Sequence, residues 1–466
     1  MRKFYITTSI AYTNALPHLG FALELIQADV LARYHRILGQ DVFFLIGTDE
    51  HGRKVAEAAE KAGKTPQNFT DELSGKFREL AKVLNVSNDD FIRTTDQTRH
   101  WPIVKDIWLK LKENGDIYKK KYRGLYCVGC ESFITKKDLL GGKCRIHQKE
   151  PEVIDEENYF FRLSQYSRKI KDILDKNKIR IVPATRKNEM SAFAGQGLED
   201  ISFSRPRKDL NWGIPVPDDD SQTIYVWADA LVNYLSGAKG RWPADLQCVG
   251  KDIFKFHSLI WPGMLLSLGL PLPKAILAHG FITVAGQKIS KSLGNAVDPF
   301  ELVEKYGADA VRYYLLREIP ATEDGDYTLE KFEGRYNSDL ASGLGNLVAR
   351  VITMAAKFQS QKSNFKIISQ NLKLFIKKTR KEYERSLDEF KFNETLRVAW
   401  ELISFCDKYI EKERPWETKS TEIIGDLLLA IKDIAELLKP FLPETAEKIL
   451  KQLEKQKSEP LFPRIK

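Results

Sequence analysis

Cysteine is scarce in this chain, with five residues among 466. That is too few for a disulfide framework at this length. Three of the five, Cys127, Cys130 and Cys144, cluster, and in a reducing compartment such clustering argues for a metal. Long apolar runs are missing too. The longest, "LIWPGMLLSLGL", is broken by Pro262 and two glycines, so no span across a bilayer and no membrane partner is expected. The start, "MRKFYITTSIAYTN", is basic but has no apolar centre and no small-residue cleavage site. No signal peptide is expected, and the location reads as cytoplasmic. Internal repeats and low-complexity tracts are also absent.

What is present suits packed cores with a solvated surface: 43% hydrophobic and 29% charged residues. The length argues for three or four modules. A net charge of +9 favours a polyanionic partner, nucleic acid above all, through counterion release and steering. A merely lysine-rich surface is the alternative, and charge alone does not choose between them.

The first hundred residues alternate strand and helix. Phe4–Ile10 reads as a strand, Leu19–Ile37 as a helix, "DVFFLIG" from Asp41 as a buried strand, and "FIRTT" from Phe91 as another. Such alternation predicts a doubly wound, Rossmann-like parallel sheet whose ligands bind beyond the carboxyl ends of the strands. His18, Asp49 and His51 fall there. The pattern breaks near Lys119–Lys121 and resumes after about residue 185, with "TIYVW", "LQCVG" and "KAILAHG" as strands. An insert therefore splits one sheet into two halves. From about Thr328 the chain reads as an antiparallel helix bundle.

In "PHLGF", His18 sits in the turn where strand gives way to helix. Unpaired backbone N–H groups and a helix dipole make that turn a natural phosphate site. A capping histidine is the plainer alternative for the tripeptide alone. Cys127-x-x-Cys130, thirteen residues, then Cys144-x-x-His147 supplies four ligands in two close pairs. Three thiolates and one imidazole fill a zinc tetrahedron and leave no open position, so one structural Zn2+ is expected. A rubredoxin-like iron site fits less well, because histidine is a poor fourth ligand there. "GQKISKSLGN", Gly286 to Asn295, reads as a mobile cationic loop. Its Lys288 and Lys291 would neutralise a leaving pyrophosphate, or else decorate a solvated turn.

"PHLGF" and "KISKS" together resemble the two signatures of class I aminoacyl-tRNA synthetases, HIGH and KMSKS. "TTSIAYTNALPHLG", "GTDEHG", "YCVGCESF", "WGIPVP", "YVWADALVNY", "GKDIFKFHSLIWP" and "NSDLASGLGN" resemble the methionyl-tRNA synthetases, over Tyr5 to about Trp416. The single Cys3His set is similar to the subgroup with one zinc in its connective insert. One departure stands out: Phe21 replaces the second signature histidine.

The resemblance implies a fold in five parts. Residues 1–117 and 186–270 form the catalytic halves, 118–185 the zinc-bearing insert, 271–327 a stem-contact region with the lysine loop, and 328–466 an anticodon-binding bundle. It implies methionine activation by ATP with Mg2+, followed by transfer to initiator and elongator methionine tRNA. His18, Lys288 and Lys291 would be catalytic, with His18, Gly20, Phe21, Lys288, Ser290 and Lys291 holding ATP. Methionine would meet Ile10, Tyr12, Asp49, Trp227, Leu231, Tyr234, Asp252, Phe256 and His257. Asp49 would pair with Arg205, and Asp49 or Asp252 would hold the α-ammonium. Asn346, Arg350 and Trp416 would read the anticodon. No appended dimerising domain fits after Pro460, so a monomer is expected.

The insert is too small for the editing domain of the valine, isoleucine and leucine enzymes, and its metal cluster lies outside any amino-acid pocket, unlike a cysteine enzyme. A tRNA-binding protein that has lost catalysis is the rival of another class, favoured only by Phe21.

Overall fold

A computed structural model describes residues 2–129, 132–134, 138–145, 148–288, 297–358 and 369–465, with the backbone alone at Ser132, Phe133 and Lys288. The chain divides into two compact units. The first comprises Met1–Pro17, Leu38–Ala81 and Ser87–His279; the second comprises His18–Ile37, Lys82–Val86 and Gly280–Lys466. Among the described residues no helix is long and apolar enough to cross a membrane.

The first unit is built on a seven-stranded sheet: β1 (Lys3–Thr8), β2 (Ala11–Tyr12), β3 (Asp41–Asp49), β4 (Asp90–Arg93), β5 (Arg180–Val182), β6 (Leu246–Gly250) and β7 (Ala275–His279). The order is β5-β7-β6-β1-β3, with β4 and the short β2 also pairing β3, and every pairing is parallel. β6 and β7 are buried throughout, and β3 is buried along its last seven residues. This is the near-continuous apolar run that a sheet covered on both faces requires. Strand order reverses between β1 and β6, the switch point where such sheets open a crevice at their carboxyl edge.

A second sheet, antiparallel, forms the insert. It pairs Ile117–Cys127 with Glu152–Phe161 in a long ladder and adds Ser132–Ile134 and Ile201–Ser202 at its edges. The two-stranded ribbon Leu139–Leu140 and Lys143–Cys144 lies within the same stretch of chain.

Two expectations need correction. β5 rejoins the parallel sheet at Arg180, ahead of the expected insert boundary at 185, whereas Ile201–Ser202 pairs with the insert sheet beyond it. Strands this short carry no periodicity to read. "TIYVW" is also not a strand of the parallel sheet. Thr223 and Ile224 end a strand, Asp219–Ile224, in a separate antiparallel sheet with Ser204–Pro206 and Pro215–Val216. The chain then turns at Tyr225 into the helix Val226–Ala230, so Trp227 and Asp229 are helical. The polar, exposed start of that strand and its proline-bearing partners suit a half-exposed antiparallel sheet rather than a buried parallel one.

The second unit is mainly helical. Its helices Pro299–Tyr306, Leu329–Arg335, Gln370–Asp388 and Thr421–Leu438 start where the side chains of Asp298, Thr328, Ser369 and Ser420 accept backbone N–H groups of the first turn. Each such cap satisfies one of the donors that a helix start leaves open. A small sheet joins Ile282–Val284 to Gln287–Lys288 and to Gly325–Tyr327. The fully buried Arg312 ties this unit together. It donates to the carbonyls of Phe441 at 2.7 Å, Pro440 at 3.0 Å and Leu84 at 3.2 Å. It also pairs with Asp29 of the helix Leu19–Ile37 at 2.7 Å, which places a buried charge where each guanidinium nitrogen has a partner.

Candidate functional site

His18 opens the helix Leu19–Ile37 in the second unit. Its carbonyl accepts from Phe21 N at 3.0 Å and Ala22 N at 3.1 Å, and its Nδ1 accepts from Gly20 N at 3.1 Å. The exposed imidazole is thus both the helix cap and a group at the positive end of the dipole. Because Nδ1 accepts, the neutral ring carries its proton on Nε2, a donor suited to an anion. A Cβ at residue 20 would come within 3.0 Å of the imidazole Cε1, so glycine is what lets the ring fold back. Phe21 is half-buried. The backbone of Lys288 ends the hairpin strand opposite Thr283. The hairpin turns through Ala285 and Gly286 at positive φ, with Gly286 N donating to Asp326 at 2.7 Å. Ser290, Lys291 and the side chain of Lys288 lie outside the described residues.

The expected methionine-binding residues all belong to the first unit: Ile10, Tyr12 and Asp49 lie at or just past the ends of β1 and β3, Asp252, Phe256 and His257 follow β6, and Trp227, Leu231 and Tyr234 follow the antiparallel strand Asp219–Ile224. Ile10 lies just past β1, and a Cβ at Gly47 of β3 would come within 2.9 Å of its Cγ2. Tyr12 pairs with Asp49 in register, and Thr13 N donates to the Asp49 carbonyl at 2.9 Å. Asp49 is buried, whereas Asp252, just past β6, is exposed. Gly250 leaves room for Asp252, since a Cβ there would meet its Oδ1 at 2.7 Å.

The wall is aromatic. Trp227 and Phe256 stack with centroids 3.7 Å apart and planes 8° from parallel. Phe256 and His257 begin a wide-turned π-helical segment, Phe256–Ile260, a local widening often found at functional sites. His257 Nδ1 lies 3.0 Å from the Ile253 carbonyl, which only accepts, so Nδ1 carries the proton. Its Nε2 therefore accepts from the Tyr234 hydroxyl at 2.7 Å. Burial pushes the His257 imidazole down to about 4, against the raising effects of the Ile253 bond and Asp252, and the ring is neutral at physiological pH. Tyr234 and Leu231 are both buried, and the Tyr234 carbonyl accepts from Tyr5 at 3.0 Å. Arg205 is buried too. It donates to Ser202 Oγ and the Ser204 carbonyl, both at 2.7 Å, and lies over the rings of Tyr225 and Tyr126.

Of the expected metal ligands, Cys130 and His147 lie outside the described residues. Cys127 and Cys144 are both buried and share one small cluster with Ile134. Cys144 is held in a closed turn, its N–H on the Lys149 carbonyl at 2.9 Å and its carbonyl accepting from Gln148 N at 2.8 Å. Among the described residues alone, no group of three or more candidate ligands comes together.

In the bundle, Asn346 is exposed at the first turn of the helix Asn346–Lys357. Arg350, one turn on, donates to Glu411 at 2.7 Å, and its guanidinium lies 5.9 Å from the ring of Trp416. Trp416 is 40% exposed, an unusual position for a tryptophan that only packs.

Sequence reasoning did not single out a buried polar group around Asp229, whose carboxylate lies 2.6 Å from His51 Nδ1 and 2.6 Å from His100 Nε2. Burial alone would raise Asp229, yet the two imidazoles hold it below the ordinary carboxylate value. No local pattern marks such a cluster, because its members are far apart in the chain.

The family model described as "tRNA synthetases class I (M)" matches residues 4–141 and 134–352, and "Anticodon-binding domain of tRNA ligase" matches residues 371–463. The chain is 43% identical to the methionine–tRNA ligase of Thermotoga maritima over 97% of its length and 75% of that protein. It is 41% identical to that of Brucella suis over 96% of its length and 91% of that protein. Among solved structures it is similar to Mycobacterium tuberculosis methionyl-tRNA synthetase in complex with methionyl-adenylate, with a TM-score of 0.93, 37% identity and all of both chains covered.

Proposed function

The chain belongs to the methionyl-tRNA synthetases of class I, and from that membership we propose that it activates L-methionine with ATP and transfers it to methionine tRNA. The observation that carries this reading for the chain's own residues is the neutral, aromatic pocket at the switch point: Trp227 on Phe256, and Tyr234 on an uncharged His257. A thioether is polarizable and uncharged. It gains from ring contacts, and the neutral His257 brings no charge to it.

In the first step the methionine carboxylate attacks the α-phosphate of ATP and pyrophosphate leaves. Such transfers depend on positioning and charge stabilisation. His18 would donate its Nε2 proton to phosphate oxygens, Gly20 and Phe21 would present the first backbone turn, and Ser290, Lys288 and Lys291 would close over the leaving group. Mg2+ would accompany the ATP. The buried carboxylate of Asp49, which Arg205 would partner, is the better candidate for the α-ammonium than the exposed Asp252, because burial strengthens a charge pair. Ile10, Tyr12 and Leu231 would complete the wall, with Tyr12 and His257 helping to reject leucine. The 2′-hydroxyl of the terminal adenosine would then attack the adenylate.

Cys127, Cys130, Cys144 and His147 would hold one Zn2+. Two buried thiols in one cluster, one of them in a closed turn, fit the start of such a site. The ion would cross-link the two knuckles and stay remote from the chemistry. Metal analysis of purified protein is expected to return about one zinc per chain; a value near zero contradicts the assignment.

The bundle would read a CAU anticodon by stacking on Trp416 and by contacts from Asn346 and Arg350. Trp416→Ala is expected to cut tRNA charging by about tenfold or more while leaving ATP–pyrophosphate exchange intact; equal loss of both would make Trp416 a packing residue. A cytoplasmic monomer serving initiator and elongator tRNA completes the proposal. Purified protein is expected to charge both tRNAs with methionine, and failure to charge either contradicts it.

A further inference from the structure

Three residues that no step above uses meet inside the first unit. Asp229 is fully buried, its Oδ2 on His51 Nδ1 and its Oδ1 on His100 Nε2, each at 2.6 Å. His100 Nδ1 continues to Ser236 Oγ at 2.7 Å. A carboxylate only accepts, so each imidazole presents an N–H to it. His51 therefore carries a proton on Nδ1 and His100 one on Nε2, while the Ser236 hydroxyl beside His100 Nδ1 also reaches the Asn233 carbonyl at 3.4 Å. Low dielectric makes such a satisfied network stiff, and makes any vacancy in it costly.

The places of these residues in the chain give the network its meaning. His51 stands two residues beyond Asp49, at the exit of β3. Asp229 stands two residues beyond Trp227, in the helix Val226–Ala230, and Leu231 follows at once. His100 caps the helix Trp101–Glu113. One carboxylate therefore fixes the β3 exit against the helix bearing the aromatic wall. Trp212 backs the same loop: its Nε1 donates to the Glu50 carbonyl at 2.6 Å, and its ring lies 5.5 Å from that of His51. Glu50 is itself clamped by Arg93 through two bonds, at 2.8 and 2.9 Å.

We propose that Asp229, acting through His51 and His100, is a positioning residue for the amino acid: it sets the span between the carboxylate of Asp49, which takes the α-ammonium, and the Trp227 wall, which takes the side chain. This rests on the pocket assigned under the proposed function. An amino acid that bridges two contact sets is sensitive to their separation, whereas the residues assigned to ATP above belong to neither set.

The test is exchange kinetics on the full-length protein, with methionine and ATP varied separately. His51→Ala removes one donor to Asp229. It is expected to raise the methionine KM about tenfold and to change the ATP KM by less than about twofold. His51→Asn places an amide N–H where Nδ1 stood and is expected to recover most of the loss. Asp229→Asn should reproduce the His51→Ala split. Should that buried variant fail to fold, the His51 pair still decides. An unchanged methionine KM in His51→Ala, or equal rises for both substrates that His51→Asn does not reverse, overturns the proposal. Wild-type protein with no methionine-dependent exchange would instead overturn the function on which it rests.

Discussion

His18→Asn lowers the rate of adenylate formation by about 100- to 1,000-fold while the protein melts like the wild type. Asparagine is among the best helix caps, so its side-chain oxygen takes over the Gly20 N–H that His18 Nδ1 now accepts. It brings no counterpart to the Nε2 proton. The variant therefore separates the two roles that one imidazole combines at the start of the helix Leu19–Ile37. His18→Ala loses both, and should show the same rate loss together with a stability loss of about 1 kcal/mol. Stopped-flow or exchange kinetics paired with urea melts read the two separately. Wild-type kinetics in His18→Asn would reduce this histidine to a cap. Phe21 sharpens the prediction: with the second signature histidine replaced, no second imidazole stands in the motif to compensate.

His257→Ala raises the methionine KM by about 10- to 100-fold and leaves the ATP KM in place. The substitution removes the imidazole that accepts from the buried Tyr234 hydroxyl and opens a cavity in the aromatic wall. The loss falls on the side-chain pocket, where neither phosphate nor ribose is bound in the reading above. Equal effects on the two substrates would indicate general collapse.

The same residue predicts a pH dependence of folding. Its folded pKa of about 4 lies below the ordinary value of 6.5, so the unfolded chain takes up the proton first. Stability from the neutral ring is complete above about pH 6.5 and is lost as the pH falls towards 4, by up to about 3 kcal/mol. Denaturant titrations across that window should show the slope in the wild type and a shallower one in His257→Ala. A slope that survives the substitution would assign it to other groups.

Legibility in the sequence followed the range of the interaction. β3 announces itself because its buried stretch opens with the unbroken apolar run Phe43–Ile46. β5 is three residues long and pairs only with β7, far along the chain, so nothing local marks it. "TIYVW" misleads for a related reason: its first residues end an antiparallel strand, with Tyr225 N still bonded to the distant Phe203 carbonyl, and its last residues already belong to a helix. The signature residues were legible as motifs, since His18, Gly20 and the helix they open are contiguous. The pocket emerged only through resemblance, because Tyr234 and His257 meet across 23 residues, and the π-helical turn that presents His257 leaves no trace in composition. The Asp229 network was invisible, its bonds spanning 178 and 129 residues.

Exchange of labelled pyrophosphate into ATP, measured with each of the standard amino acids in turn, tests the assignment most directly. Methionine alone is expected to support it, with leucine and isoleucine near background. Absence of exchange with methionine, or faster exchange with another amino acid, would contradict a pocket built for an uncharged thioether.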